Sequence, residues 1–321
     1  MNRDRMIRGI TMLCAAVLLC AVIVSAGGLI AKAANGYEHA EKYTAGDAEI
    51  EGTVKNLEVN WTSGKITVAY HGKETVELRE TAKRPIGADQ KMRWWLDGDT
   101  LRIQYCKAGL NWSLAADPDK ELVLILPEGI ELDSALFNLT SGDLIIPGMR
   151  TGNLQMTATS GNLNVEAEAN ICMATTTSGD QHLKLQGKTE RIQTTATSGN
   201  IRIEAEETGQ IQAVCTSGDM DIRAGKNEQA NLSGTSTRVR VRLEEMKRLS
   251  VNTTSGDVTA ELPEAPGFSA QLQTLSGDLE TGMALTKSGN QYACGDGSGS
   301  VMINTTSGDI RIMPLQDNQI I

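Results

Sequence analysis

Serine and aspartate recur together in this chain at a spacing that invites chemistry. Thr-Ser-Gly-Asp or Thr-Ser-Gly-Asn occupies 140–143, 159–162, 177–180, 197–200, 216–219, 254–257 and 306–309, with a near copy at Leu275–Asp278 and an early one at Thr62–Lys65. A file of serine hydroxyls suits nucleophilic attack, and a file of carboxylates suits a hard cation. Nucleophilic serine needs a base within hydrogen-bond reach. The three histidines (His39, His71, His182) are far apart and lie in no motif, and there is no Gly-x-Ser-x-Gly elbow. The column Asp143, Asn162, Asp180, Asn200, Asp219, Asp257, Asp278, Asp309 offers about one side chain per repeat, whereas calcium takes roughly six to eight oxygens. No cysteine pair has zinc spacing. The expectation is therefore no catalytic residue, no metal and no cofactor. Gly supplies a positive φ and Asp or Asn bonds nearby backbone, so the motif reads as a turn.

The turns imply their flanks. Serines 141, 160, 178, 198 and 217 are 19, 18, 20 and 19 residues apart, a period that marks a stacked repeat. Around Ser198 the apolar or small positions are Ile192, Thr194 and Ala196 before the turn, and Ile201, Ile203 and Ala205 after it. Ser160 and Ser217 carry the same pattern. Alternation on both sides of a turn predicts two half-buried strands per repeat. One repeat cannot fold alone: six inward side chains contribute about 12 kcal/mol, against about 19–38 kcal/mol for ordering its backbone. Stacking must supply the rest. The fold expected is an all-β, single-stranded β-solenoid, parallel β-helix-like, with two-sheet rungs of about 19 residues. Ser236 is the midpoint of a degenerate rung in which Thr237-Arg238 replaces Gly-Asp.

In chain order, residues 1–34 read as an N-terminal membrane anchor or signal peptide. Arg3, Arg5 and Arg8 precede an uncharged run from Gly9 to Ala31, whose 23 residues would span about 34 Å as a helix. That basic flank places the rest outside the cytoplasm. Ala31-Lys32-Ala33 resembles a cleavage site, which would make the protein secreted; the length of the run favours a retained transmembrane helix. Residues 35–48 form a tether, 49–130 an irregular β-rich part expected to cap the stack, 131–313 the repeats and 314–321 a tail. A hairpin is expected around Asp97-Gly98, and another turn at Lys287–Asn290.

The net charge of −10 becomes −13 once residues 1–34 are set aside, which argues against nucleic acid and against an anionic membrane surface. Cys172 and Cys215 fall at inward positions two rungs apart and read as small core residues. Cys106 and Cys294 would pair only if the first third met the last loop. In a strand Trp94 and Trp95 point to opposite faces, so at most one is a platform for a sugar ring.

At the rungs, together with Leu126-Pro127-Glu128-Gly129 and the loop Gly295–Gly299, the chain resembles bacterial "putative adhesin" proteins with β-strand repeats, of the LiaG and YvlB kind. The resemblance covers about residues 50–313. It implies a membrane-anchored cell-envelope protein carrying a domain of unknown function, and it brings no catalytic residues. The function expected is a non-enzymatic extracytoplasmic scaffold, an adhesin or a binding and regulatory protein of the envelope, with an envelope protein or glycan as ligand. The alternatives are a polysaccharide-cleaving enzyme on a parallel β-helix and end-to-end self-association through solenoid edges.

Overall fold

Alternating strands joined by glycine corners build nearly all of the computed structural model, which describes residues 37–109, 118–289 and 291–315. The expected N-terminal membrane helix lies outside the described residues. Among those described, no helix is long and apolar enough to cross a membrane. The chain divides into two units, residues 37–145 with Met156–Gly161, and Ile146–Gln155 with residues 162–315.

In the first unit the strands are β1 (Thr44–Ala45), β2 (Ala48–Ile50), β3 (Asn56–His71), β4 (Val76–Ala82), β5 (Arg93–Asp97), β6 (Thr100–Gln104), β7 (Lys120–Pro127) and the start of β8 (Glu131–Ser160). β3 is the first full rung in sequence, yet it lies inside the stack. Its first arm runs parallel to both β6 (Leu57↔Leu101) and β8 (Leu57↔Ala135), and its second arm parallel to both β7 (Ile66↔Leu122) and β8 (Ile66↔Leu144). Antiparallel strands cover what remains open: β4 lies along β7, and β5 lies along β6 as the expected hairpin about Asp97-Gly98. Unpaired strand edges recruit other chains, and covering them is a usual remedy.

The second unit continues with β9 (Leu163–Ser178), β10 (Gln181–Ser198) and β11 (Ile201–Ser255), which alone holds three rungs, then β12 (Val258–Leu262), β13 (Gly267–Ser276), β14 (Leu279–Thr281), β15 (Thr286–Ser288), β16 (Gln291–Gly295), β17 (Gly299–Ser307) and β18 (Ile310–Pro314). Rungs stack parallel and in register, Cys172↔Ile192↔Ile211 before the corner and Leu163↔Gln181↔Ile201 after it. Every inward position named from the sequence around Ser198 and Ser217 is buried, from Ile192 to Ala224. The arms on either side of a corner face each other across the interior. Gln181 Nε2, just past one corner, donates to Thr176 Oγ1, just before it, at 2.9 Å.

Sequence order fails at the end of this unit. Successive repeats were expected to lie directly over one another, but the Ser276 rung does not follow the Ser255 rung. β17 and β18 are inserted between them, pairing Val251↔Ile303↔Leu272 and Ala260↔Ile312↔Thr281. The hairpin β15–β16, which is the turn expected at 287–290, carries the chain back. The physical gain is symmetrical coverage. Val301, Ile303, Ile310 and Ile312 acquire neighbours on both sides, and all four are buried.

Candidate functional site

The corner column was the chain's best claim to chemistry, and its atoms are already engaged. Asp180 Oδ1 accepts the backbone N–H of Asn200 at 2.8 Å, and Asn200 Oδ1 accepts that of Asp219 at 2.9 Å. The same step joins Asn162 to Asp180 (2.9 Å), Asp257 to Asp309 (3.0 Å) and Asp309 to Asp278 (3.0 Å). Each of these five side chains thus caps a backbone donor in the next rung, which would otherwise point out of the corner unpaired. Asp and Asn serve alike because both present an acceptor oxygen. In the degenerate rung Arg238 replaces the acceptor, and its guanidinium donates to Asp219 Oδ2 at 3.1 Å.

The glycines between them have a second reason beyond φ. A Cβ on Gly199 (φ +139°) would lie 2.2 Å from the carbonyl oxygen of Gly179. Corners pack backbone on backbone, so no side chain fits. The serines beside them at 178, 198, 217, 255, 276 and 307 are exposed. The histidines are engaged elsewhere: His182 Nε2 lies 4.0 Å from Glu204, and His71 Nε2 is 2.7 Å from the Thr75 carbonyl. Among the described residues no group of three His, Cys, Asp or Glu side chains converges to hold a metal ion.

Cys172 and Cys215 are buried in the core, and burial pushes the Cys172 thiol up to about 12. Trp95 is covered within its own unit by the Tyr43 ring at 5.7 Å and by Lys42 Nζ at 4.6 Å. Its face is a packing surface for the segment leading into β1.

Sequence reasoning missed a buried ion pair in the first unit. Lys120 and Glu80 are in salt-bridge contact, with side chains 0 % and 3 % exposed. Lys120 Nζ also donates to the carbonyl of Gln90 at 2.7 Å and lies 4.1 Å from the Tyr105 ring centroid. Tyr105 and Ser63 share a hydroxyl hydrogen bond of 2.8 Å. Glu80 accepts the Met92 N–H at 3.0 Å. The signal was phase: Lys120 continues the inward alternation of Leu122, Leu124 and Leu126, and Glu80 that of Val76 and Leu78. The arrangement closes off the Gly64 corner within this unit, since a Cβ on Gly64 would lie 1.9 Å from the Lys120 carbonyl oxygen.

Parallel rungs, a capped corner ladder and solvent-facing alternate side chains define a β-repeat protein whose recurring motif is architectural. The chain belongs to the Toastrack DUF4097 family, whose model matches residues 54–313. No curated protein matches it. Similar solved structures include a "putative cell adhesion protein" from Clostridium sporogenes ATCC 15579 (13 % identity, 85 % of this chain and 100 % of that one, TM-score 0.20), and a "putative adhesin" from Bacteroides fragilis NCTC 9343 (13 % identity, 86 % and 98 %, TM-score 0.44).

Proposed function

We propose that the chain is a non-enzymatic binding scaffold of the cell envelope, held to the membrane by its N-terminal apolar segment with the rungs outside the cytoplasm. One observation carries this reading. The Asp and Asn side chains that recur at the corners bond neighbouring rungs, as in the step from Asp180 to Asn200, whereas alternate side chains of each arm repeat along the stack facing solvent. A surface of that kind engages an extended partner through many weak contacts, whose combined strength exceeds any single one. The basic flank of the apolar segment supports the orientation, and membership of the Toastrack family supports the scaffold role.

The test is retention of the full chain, in a detergent without sugar head groups, on isolated bacterial envelopes. Retention that saturates with added chain is expected; none across envelopes of several bacteria would overturn the proposal. Protease added to intact cells should remove the rungs and leave a protected N-terminal fragment.

A further inference from the structure

Charge is distributed unevenly over the second unit. Its seven rungs stack in the order of corner serines 178, 198, 217, 236, 255, 307 and 276, as the pairings outside β11 and the Arg238–Asp219 and Lys247–Glu228 contacts within it establish. On the arm before the corner, the three positions nearest the corner that alternate with the inward ones form three columns along the stack. In the first rung they hold Met173, Thr175 and Thr177, in the next Gln193, Thr195 (itself buried) and Thr197, and in the last Gln271, Gln273 and Leu275. In all seven rungs these three positions hold Thr, Ser, Asn, Gln, Met, Val or Leu and never Asp, Glu, Lys, Arg or His. The chain is 22 % charged, yet these three columns carry none of it; the exposed Arg191 and Arg248, one outward position earlier on their arms, stand at the edge of the face. On the arm after the corner the outward positions are instead laced with ion pairs, Arg242 with Glu261 at 3.0 Å and Arg311 with Glu280 at 2.9 Å.

Seven rungs about 4.8 Å apart make this uncharged face about 29 Å long. Charge is the cheapest protection for an exposed strand surface, so its exclusion from one face and not the other points to a partner that does not tolerate it. Burying an unpaired ion against an uncharged partner is costly. The face also lacks what other partners need. Between the edge arginines Arg191 and Arg248 and the corners, its three columns hold no Lys or Arg for phosphate or carboxylate polymers, and no Trp, Tyr or Arg to anchor a protein interface. It does have a lattice of hydroxyl and amide groups, each able to donate and accept. Parts of it are held in place before any ligand arrives. Asn304 Nδ2 donates to Asn252 Oδ1 at 3.0 Å, and Asn252 Nδ2 to Ser250 Oγ at 3.3 Å.

We infer that this face binds a neutral, hydroxyl-rich polysaccharide lying across successive rungs. The inference rests on the envelope-binding reading and names its ligand class. Without an aromatic platform each rung contributes little, and affinity comes from repetition along the polymer.

The probes are insoluble cellulose and chitin, incubated with the full chain at about 0.05 M and about 0.5 M NaCl. Binding to one or both is expected, equal at the two salt concentrations. Thr254 and Met302 are exposed on this face, so Thr254→Lys/Met302→Lys should fold normally and lose binding about tenfold. Arg240→Glu, on the other arm, should retain it. No binding to either polymer, binding abolished by salt, or binding unaffected by the double lysine variant would overturn the inference. So would retention on envelopes that is lost once the envelopes are protease-treated, since the occupant would then be a protein. If retention on envelopes persists while neither polysaccharide binds, this inference falls and the envelope-binding reading stands. If retention on envelopes fails as well, that reading falls with it.

Discussion

Ser255 and Ser307 are register partners on adjacent parallel strands, although 52 residues separate them. The last rung of the chain is thereby held one place in from the end of its stack, with the Ser276 rung outside it. Removing residues 299–315 should therefore open two interfaces. Four buried aliphatic side chains are lost, roughly 8 kcal/mol, which is comparable to the whole stability of a domain. The truncated chain should show no cooperative transition for its second unit, and hydrogen exchange of amides in β13 and β12 should become unprotected. Persistent protection there would contradict the interleaved order.

The Lys120–Glu80 pair predicts strong coupling. Lys120→Met or Glu80→Leu alone should destabilise the first unit by about 3–5 kcal/mol, because each leaves a buried charge without its partner. The double variant should cost less than either single change, as read from urea unfolding. Equal and additive losses would mean that the two side chains do not share one site.

The corner ladder separates two chemically similar substitutions. Asp180→Asn keeps an oxygen for the Asn200 N–H and should be close to neutral, whereas Asp180→Ala should cost about 1 kcal/mol or more. Gly199→Ala should cost several kcal/mol, since the new methyl meets backbone. Gly289, with φ +60° and open space around it, should lose only about 1 kcal/mol on the same change. Thermal melts of the variants test both contrasts.

Acid should act on the first unit through Glu77. Hydrogen bonds from Lys73 (2.5 Å) and Arg79 (2.6 Å) pull its carboxyl down to about 2 from an ordinary 4.5. A carboxyl depressed in the folded state adds stability that is fully present above its unfolded value and vanishes as pH falls through the folded one. Melting curves of the parent chain and Glu77→Gln should therefore differ at pH 5 and converge near pH 2. A difference that grows as pH falls would reverse the sign and refute the assignment.

Much of the fold was legible because its rules are local. Alternation around Ser198 and Ser217 named the buried side chains correctly, and the Asp97-Gly98 and 287–290 turns were found from Gly and its neighbours. The first-unit ion pair was not legible. Lys120 and Glu80 are 40 residues apart, and each looks like a solvated charge until its inward phase is noticed. Nor was the uncharged face of the second unit, which emerges only once rungs are aligned side by side and the two arms are counted separately.

What the amino-acid order settled alone was the rung: which residues turn inward, where the backbone must corner, and that one rung cannot stand without others. The order in which rungs meet was decided in three dimensions. The Ser276 and Ser307 corners present the same Ser-Gly-Asp step and similar apolar edges, so the two repeats are equally good neighbours for Ser255 by local chemistry. The choice falls to what encloses the ends. Burying the last rung on both sides removes more apolar surface from water than leaving it outermost.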